Sequence, residues 1–379
     1  MALKWFKVVE FGGLAPGPFC GMILADHGAK VIRIDRPNTV PDHGFGRGKR
    51  SIAINLKEQA GRKLAFDLCK SADVVIEPYR PGVMEKLGLG PSDLMKENPG
   101  LVYARLTGFG QSGMMAPRAG HDLNYIALSG VLSKFGREKR PHWPVNTLAD
   151  FAGGGLMCAL GISMALLERS KSGKGQVVDT AMVEGAAYVG SWFFTARDHF
   201  AFAYEKGQGV LDGGAHFYEV YETKDGGYMS VGAIEPQFYS ALLKVLGIDQ
   251  SEMPQWSSDE WPENKKKLEG IFRQKTREEW CELFDHVDAC VAPVLSLEEA
   301  PQHKHNIDRK AFLRNPAGNY DPAPAPKLSR TPGTDTLLPQ PKMGEHSLEI
   351  LQEINYSKSQ IKEMLDKGVV LQPVDDAKL

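Results

Sequence analysis

Residues 5–35 read WFKVVEFGGLAPGPFCGMILADHGAKVIRID, and the order of that stretch decides the fold. WFKVVEF (5–11) reads as a buried strand. Gly12, Gly13, Pro16, Gly17 and Pro18 form a loop after it. FCGMILADHG (19–28) carries apolar residues at helical spacing, and KVIRID (30–35) is a second strand. A strand, a helix and a strand in that order make a parallel pair with a crossover. The unit repeats outward: SIAINL (51–56) as strand, 58–70 as helix, ADVVIE (72–77) as strand, a helix near residue 91, and LVYARL (101–106) as strand. This predicts an α/β fold built on an open doubly wound parallel sheet of Rossmann-like type.

Further along, residues 153–170 turn helical, with Leu156, Leu160, Met164 and Leu167 on one face. GQVVDTAMVEGAAYVGSWFF (175–194) is a short strand and a second apolar helix. The texture changes after about residue 205. FYEVYETKDGGYMSVGAI (217–234) is two strands around an Asp-Gly-Gly turn, and a charged helical stretch follows through 255–285. Residues 316–341 hold seven prolines and no clear period, so they read as an extended linker. EHSLEILQEI (345–354) and KSQIKEMLDKG (358–368) close the chain as helices. The expected organisation is a large α/β domain over 1–200, a smaller α+β domain over 205–310, and a proline-rich linker with C-terminal helices over 311–379.

The bulk numbers exclude several classes. A net charge of -2 leaves no basic surplus for nucleic acid. No uninterrupted apolar run reaches the length of a membrane span, and MALKWFKVVE lacks the features of a secretory signal. Cys20, Cys69, Cys158, Cys281 and Cys290 are scattered, show no metal-ligand spacing, and read as reduced, buried thiols of an intracellular protein. Ala377-Lys378-Leu379 resembles a peroxisomal address, which would engage the import receptor.

LTGFGQSG (106–113) matches G-x-G-x-x-G, the signature of dinucleotide binding. Pro117 and Gly120 argue against the helix that such a site needs, and no acidic residue ends a strand about 20 positions later. Basic residues also cluster at Arg36 and in GFGRGKRS (44–51), either as a solvated turn or as contacts to a phosphorylated ligand at strand ends. In AGHDLNY (119–125), His121 is either a partly buried histidine or a proton-transfer group. Asp150, in LADFAGGG (148–155), is either a helix N-cap or that group's partner.

These motifs, with GLAPGPFCGMILADHGAKVIRIDRP (13–37), EPYRPGVMEKLGLGP (77–91), LDGGAHFY (211–218), GAIEPQFY (232–239) and DACVAPVL (288–295), resemble the α-methylacyl-CoA racemases over nearly the whole chain. Those enzymes belong with the family III CoA transferases by fold rather than by reaction. The resemblance implies racemisation of 2-methyl-branched acyl-CoA thioesters, in support of branched-chain fatty acid and bile-acid metabolism in the peroxisome and also the mitochondrion. It places the acid/base pair on His121 and Asp150. It puts a glutamate that bonds the histidine on Glu235, support on Asp122 and Asn146, and a pocket wall on Tyr218. CoA contacts fall on Arg36, Ala53, Ile54, Asn55, Leu56, Lys86, Gly120, Asn124 and Tyr125. CoA is part of the substrate, and neither a separate cofactor nor a metal is implied. The implied assembly is an interlocked homodimer, with each site between the large domain of one subunit and the small domain of the other. His216 departs from the family's pattern, which has proline there, and bears on the shape of the acyl pocket.

Inverting a stereocentre that carries one hydrogen needs a proton acceptor on one face and a donor on the other. Free histidine titrates at about 6.5 and free aspartate at about 3.9, so a pocket that desolvates the carboxylate narrows the gap. A partner carboxylate, Glu235, would favour the imidazolium. Backbone N–H groups at a helix start can hold the enolate oxygen, and the amide of Asp122 is the candidate. Met157, Met164 and Met182 either face an acyl chain or fill the core. Two rivals remain: a CoA transferase with Asp150 as nucleophile, in which His121 has no role, and an acyl-CoA-binding protein without activity.

Overall fold

The computed structural model describes residues 1–37, 44–196, 199–202 and 204–373. Ala377-Lys378-Leu379 lies outside the described residues. The chain divides into two compact units: Met1–Val131 with Pro144–Gly190 and Asp308–Leu379, and Leu132–Trp143 with Ser191–Ile307. The sequence reading draws the division differently. It leaves Leu132–Trp143 in the large domain and gives 311–379 as a proline-rich linker with C-terminal helices returning to the large domain.

The first unit holds strands β1 (Lys7–Phe11), β2 (Lys30–Asp35), β3 (Lys49–Ile54), β4 (Val74–Glu77), β5 (Val102–Thr107) and β6 (Val177–Ala181). They lie in the order β3-β2-β1-β4-β5-β6, all parallel, and a two-residue strand, Val370–Leu371, joins β3 antiparallel. This is the doubly wound order that the opening stretch predicts. Helices α1 (Pro16–Asp26), α2 (Gln59–Lys70), α3 (Val83–Lys86) and α4 (Pro91–Glu97) connect the first five strands. Alternation along β1 sends Val9 and Phe11 into a core with Ile34, Ile52, Leu64 and Leu68. Ile350, Leu351 and Ile361 of the C-terminal helices Ser347–Glu353 and Lys358–Asp366 share that core. Glu10 points the other way, under α1, where it pairs with Lys49 at 2.7 Å, both fully buried. Gly21 of α1 lies so close that a Cβ there would be 1.6 Å from the Glu10 carboxylate. The proline-rich stretch is not featureless, since Phe312–Arg314 and Tyr320–Pro322 pair antiparallel.

Helix α5 (Asp122–Leu128) follows the loop after β5. A wide π-helix, Thr147–Leu156, runs directly into α6 (Met157–Ser172), and α7 (Met182–Val189) follows β6. Thr147–Ser172 is long and apolar enough to cross a membrane by length and composition, with half of its apolar window buried inside the protein. The sequence reading finds no apolar run long enough to span a bilayer. The π-helix packs closely on α7 because both carry glycine at the crossing: a Cβ on Gly185 would be 1.8 Å from the Gly153 carbonyl oxygen.

The second unit pairs β7 (Tyr218–Glu222), β8 (Tyr228–Gly232) and β9 (Val291–Pro293) in one antiparallel sheet. Gly226 adopts φ 76° in the turn between β7 and β8, as the Asp-Gly-Gly signal requires. Helices α8 (Ser191–Thr195), α9 (Pro236–Leu246), α10 (Trp261–Phe272) and α11 (Arg277–Phe284) complete the ordered framework. Phe217, Tyr221, Tyr239, Trp261, Phe272 and Trp280 fill the core. The Tyr221 and Phe272 rings stack at 5.0 Å.

Candidate active site

β1 and β4 are neighbours from which the chain winds to opposite ends of the sheet, so their carboxyl ends mark the topological switch point. A crevice opens there. It is a cavity of about 620 Å³, walled by Gly12 and Gly13 after β1 and by Pro78, Tyr79 and Arg80 after β4. A Cβ on Gly13 would be 2.5 Å from Pro78, so glycine is what lets the two loops meet. Gly108, Phe109, Gly120, His121, Tyr125 and Met182 close the other side. Met182 therefore lines the cavity, whereas Met164 is exposed on α6.

His121 is the exposed residue that enters α5. Its backbone N–H donates to the Asn124 Oδ1 at 3.1 Å, which fixes how the chain enters the helix. The Tyr125 hydroxyl donates to the Gly120 carbonyl oxygen. The Tyr125 ring lies edge-on to Phe109, 5.0 Å between centroids. That ring explains two glycines: a Cβ on Gly108 would sit 2.1 Å from it, and one on Gly120 2.7 Å from it. In the G-x-G-x-x-G match, then, Gly108 makes room for a tyrosine rather than for a pyrophosphate.

Asp150 is inside the π-helix, and Asn146, not Asp150, holds the N-cap position. Asn146 adopts φ 58°, a left-handed conformation that asparagine tolerates, and its Nδ2 donates to Asp150 Oδ2 at 3.0 Å. Asp122 Oδ1 accepts the backbone N–H of Ala149 at 2.7 Å and of Asp150 at 2.8 Å. The residue next to His121 thus grips the helix that carries Asp150. Burial raises the Asp150 carboxyl above its ordinary range, the Asp122 charge pushes the same way, and Asn146 and His121 draw it down. The structure brings His121, Asp122, Asn124, Tyr125, Asn146 and Asp150 together.

A second cavity of about 640 Å³ adjoins, sharing Asp35, Arg36 and Tyr79 with the first. Ile54, Asn55, Leu56 and Lys86 line it, together with Lys57 and Arg62. The Arg36 guanidinium donates to the Tyr79 hydroxyl at the junction. Ala53 is corrected: it is fully buried in β3, and its N–H donates to Ser347 Oγ at 3.4 Å. The cavity is lined instead by Ile54 at the end of β3 and by the residues that follow it, Asn55, Leu56 and Lys57. The 47–50 cluster is also corrected. Arg47 pairs with Asp26 at 2.6 Å, Lys49 with Glu10 and Arg50 with Glu353 at 2.6 Å, and none lines either cavity. Lys57, Arg62, Arg80 and Arg118 are cavity cations that sequence reasoning missed. Each stands in a loop, in a turn or on a helix, where a solvated charge is the ordinary reading.

In the second unit, Tyr218 opens β7 and lines a cavity of about 760 Å³ with Phe135, Trp192, Tyr204, Arg137 and Glu219. Glu235 is exposed at the N-cap of α9, just before Pro236. His216 does not line that cavity. It is fully buried, with Nε2 2.7 Å from the Tyr239 hydroxyl. Tyr239 in turn donates to the Met253 carbonyl oxygen at 2.7 Å, so His216 supplies the proton of the first bond. Burial pushes His216 down to about 4. The departure from the family's pattern is absorbed by the core.

The model of CoA-transferase family III matches residues 3–347. The chain belongs to that family. It is 53% identical to the human alpha-methylacyl-CoA racemase and 52% identical to the mouse enzyme, in each case over 98% of both chains. Human succinyl-CoA:glutarate CoA-transferase is 30% identical, over 97% of this chain and 90% of its own. Among solved structures, a CAIB/BAIF family protein from Brucella suis superposes with a TM-score of 0.78 at 26% identity, over 92% of this chain and 98% of that one. The division within the family, between racemase and transferase relatives, turns on what the site can do chemically.

Proposed function

We propose that the protein racemises 2-methyl-branched acyl-CoA thioesters by moving a proton between the two faces of the α-carbon. The observation that carries this reading is the joint placement of His121 and Asp150. One is an exposed imidazole in the cavity wall, and the other is a buried carboxyl raised toward its acid form. Each can hold the proton that the other lacks, which is what a two-face transfer requires.

CoA follows the charge. Lys57, Arg62 and Lys86 surround the second cavity and suit its phosphates, and Arg36 stands where the two cavities meet. The pantetheine arm would pass Arg36 and Tyr79 and bring the thioester to the Gly120–His121 turn. From the S substrate His121 takes the α-proton. The enolate oxygen is held by the amide of Asp122, the first N–H of α5, which helix geometry leaves without an intrahelical acceptor. Asp150 returns a proton to the opposite face, and for the R substrate the roles reverse. Tyr218 and Glu235 are assigned to this site by resemblance alone. Branched fatty acids and bile-acid intermediates are the acyl classes that the resemblance favours.

A transferase would use Asp150 as a nucleophile and would need a second acid as CoA acceptor. One enantiomer of a 2-methylacyl-CoA, supplied without any acceptor, separates the two readings. Racemisation supports ours; no inversion until an acceptor acid is added would contradict it. We further propose a homodimer, and residence in the peroxisome through Ala377-Lys378-Leu379 and an import receptor. An N-terminally tagged protein should leave peroxisomes when those three residues are removed, and an unchanged distribution would refute the address.

A further inference from the structure

The cavity of about 760 Å³ in the second unit is lined by residues of that unit alone. Its two sides differ in chemistry. On one stand the rings of Phe135, Trp192, Tyr204 and Tyr218, and the last three are 39–46% exposed. On the other stands Arg137, whose guanidinium forks onto the Glu219 carboxylate. Glu219 is 4% exposed, whereas the Arg137 side chain remains 60% exposed. Lys265 reaches the same carboxylate at 3.0 Å, so one buried negative group carries two positive ones. Lys134 and Lys206 also line the cavity. The other carboxylate there, Asp212, accepts the N–H groups of Gly207 and Gly209, both at 2.7 Å. The polar side therefore keeps a positive surplus. The loop before β7 is also shaped around the arginine. A Cβ on Gly213, at φ 110°, would be 2.9 Å from the Arg137 Nε, and one on Gly207, at φ 83°, 1.8 Å from its carbonyl oxygen.

We propose that this cavity binds an apolar acid, with the hydrocarbon along the rings and the carboxylate on Arg137. A row of half-open rings is apolar surface that a chain can cover. Glu219 does not exhaust the N–H donors of a guanidinium, and it holds the group in place, so a second carboxylate binds an arginine that is already ordered. The acid is a free fatty acid or the far end of a substrate chain that carries a carboxylate of its own. The chemistry at Arg137 is the same for both.

Decanoate and decanol share a chain and differ in charge. Titrated into the full-length protein in a calorimeter, decanoate should bind about tenfold or more tightly than decanol. Arg137→Leu should remove that difference by weakening decanoate alone. Arg137→Gln should do the same while keeping a polar contact to Glu219, and it decides the matter if the leucine variant does not fold. Equal binding of the two probes by the wild type, or decanoate affinity unchanged in the variant, overturns the proposal. A second arm identifies the source of the acid and rests on the racemase reading. Two 2-methylacyl-CoA thioesters are compared, one ending in a methyl group and one in a carboxylate. A KM that rises in Arg137→Leu for the second thioester only assigns the cavity to the far end of the substrate. KM values unchanged for both, with decanoate binding lost, assign it to a separate acid. A wild type that racemises neither thioester would defeat the reaction reading, and the calorimetric result would still decide the proposal.

Discussion

Arg36 stands where the two cavities meet, with its guanidinium on the Tyr79 hydroxyl. In the proposed binding mode it would contact CoA and not the α-carbon, so its loss should weaken binding without slowing chemistry. Arg36→Ala should cost about 1.5–3 kcal/mol of acyl-CoA affinity, the worth of a hydrogen bond to a charged group, with kcat nearly unchanged. A fall in kcat larger than the rise in KM would remove Arg36 from the binding residues. At this scale the sequence was informative for some residues and not for others. His121 and Asp150 stood out as residue types able to move a proton, but their pairing came from the family resemblance and not from their spacing. The reach of Lys57 was not legible, because it lies in the turn after β3, where an exposed lysine reads as a solvated charge. The fates of Arg47, Lys49 and Arg50 were not legible either. Their carboxylate partners, Asp26, Glu10 and Glu353, come from distant parts of the chain.

At the scale of elements, the π-helix Thr147–Leu156 is the part that sequence reasoning read least well. Its glycines suggested the start of a helix, with Asp150 as the cap. In the fold they permit the close crossing with α7, and the helix begins three residues before Asp150. Helical period alone does not distinguish a wide helix from an ordinary one, and the crossing partner at Gly185 is far off in sequence. The alternation of strands and helices, by contrast, was legible because each strand is a short apolar run bounded by loop residues, as expected for a parallel sheet covered on both faces. Gly185→Ala would drive a methyl group into the Gly153 carbonyl. It should lower stability by about 1–3 kcal/mol in thermal or chemical unfolding and reduce turnover as well, because Asp150 rides on the displaced helix. Wild-type stability in this variant would mean that the crossing is looser than the backbone contact requires.

For the molecule as a whole, the outward face of α6 and its approach is the feature that one chain does not explain. Leu156, Leu160, Met164 and Leu167 recur at helical spacing and are 43–65% exposed. A stripe of that kind on a folded protein marks an interface. The proposed homodimer would cover it. The protein should sediment as a dimer at nanomolar concentration, and Leu160→Glu combined with Leu167→Glu should yield monomers. A wild-type monomer under those conditions would contradict the assembly.

The central claim is that His121 and Asp150 move a proton on opposite faces of one carbon. It is tested most directly by incubating each enantiomer of a 2-methylacyl-CoA in D2O with the wild type, His121→Ala and Asp150→Asn. The wild type should place deuterium at the α-carbon and mix the enantiomers. Each variant should lose inversion by about 10²–10⁴-fold, the usual worth of a positioned acid or base. Full racemisation by His121→Ala, or an acyl group trapped on Asp150 by hydroxylamine, would contradict the account.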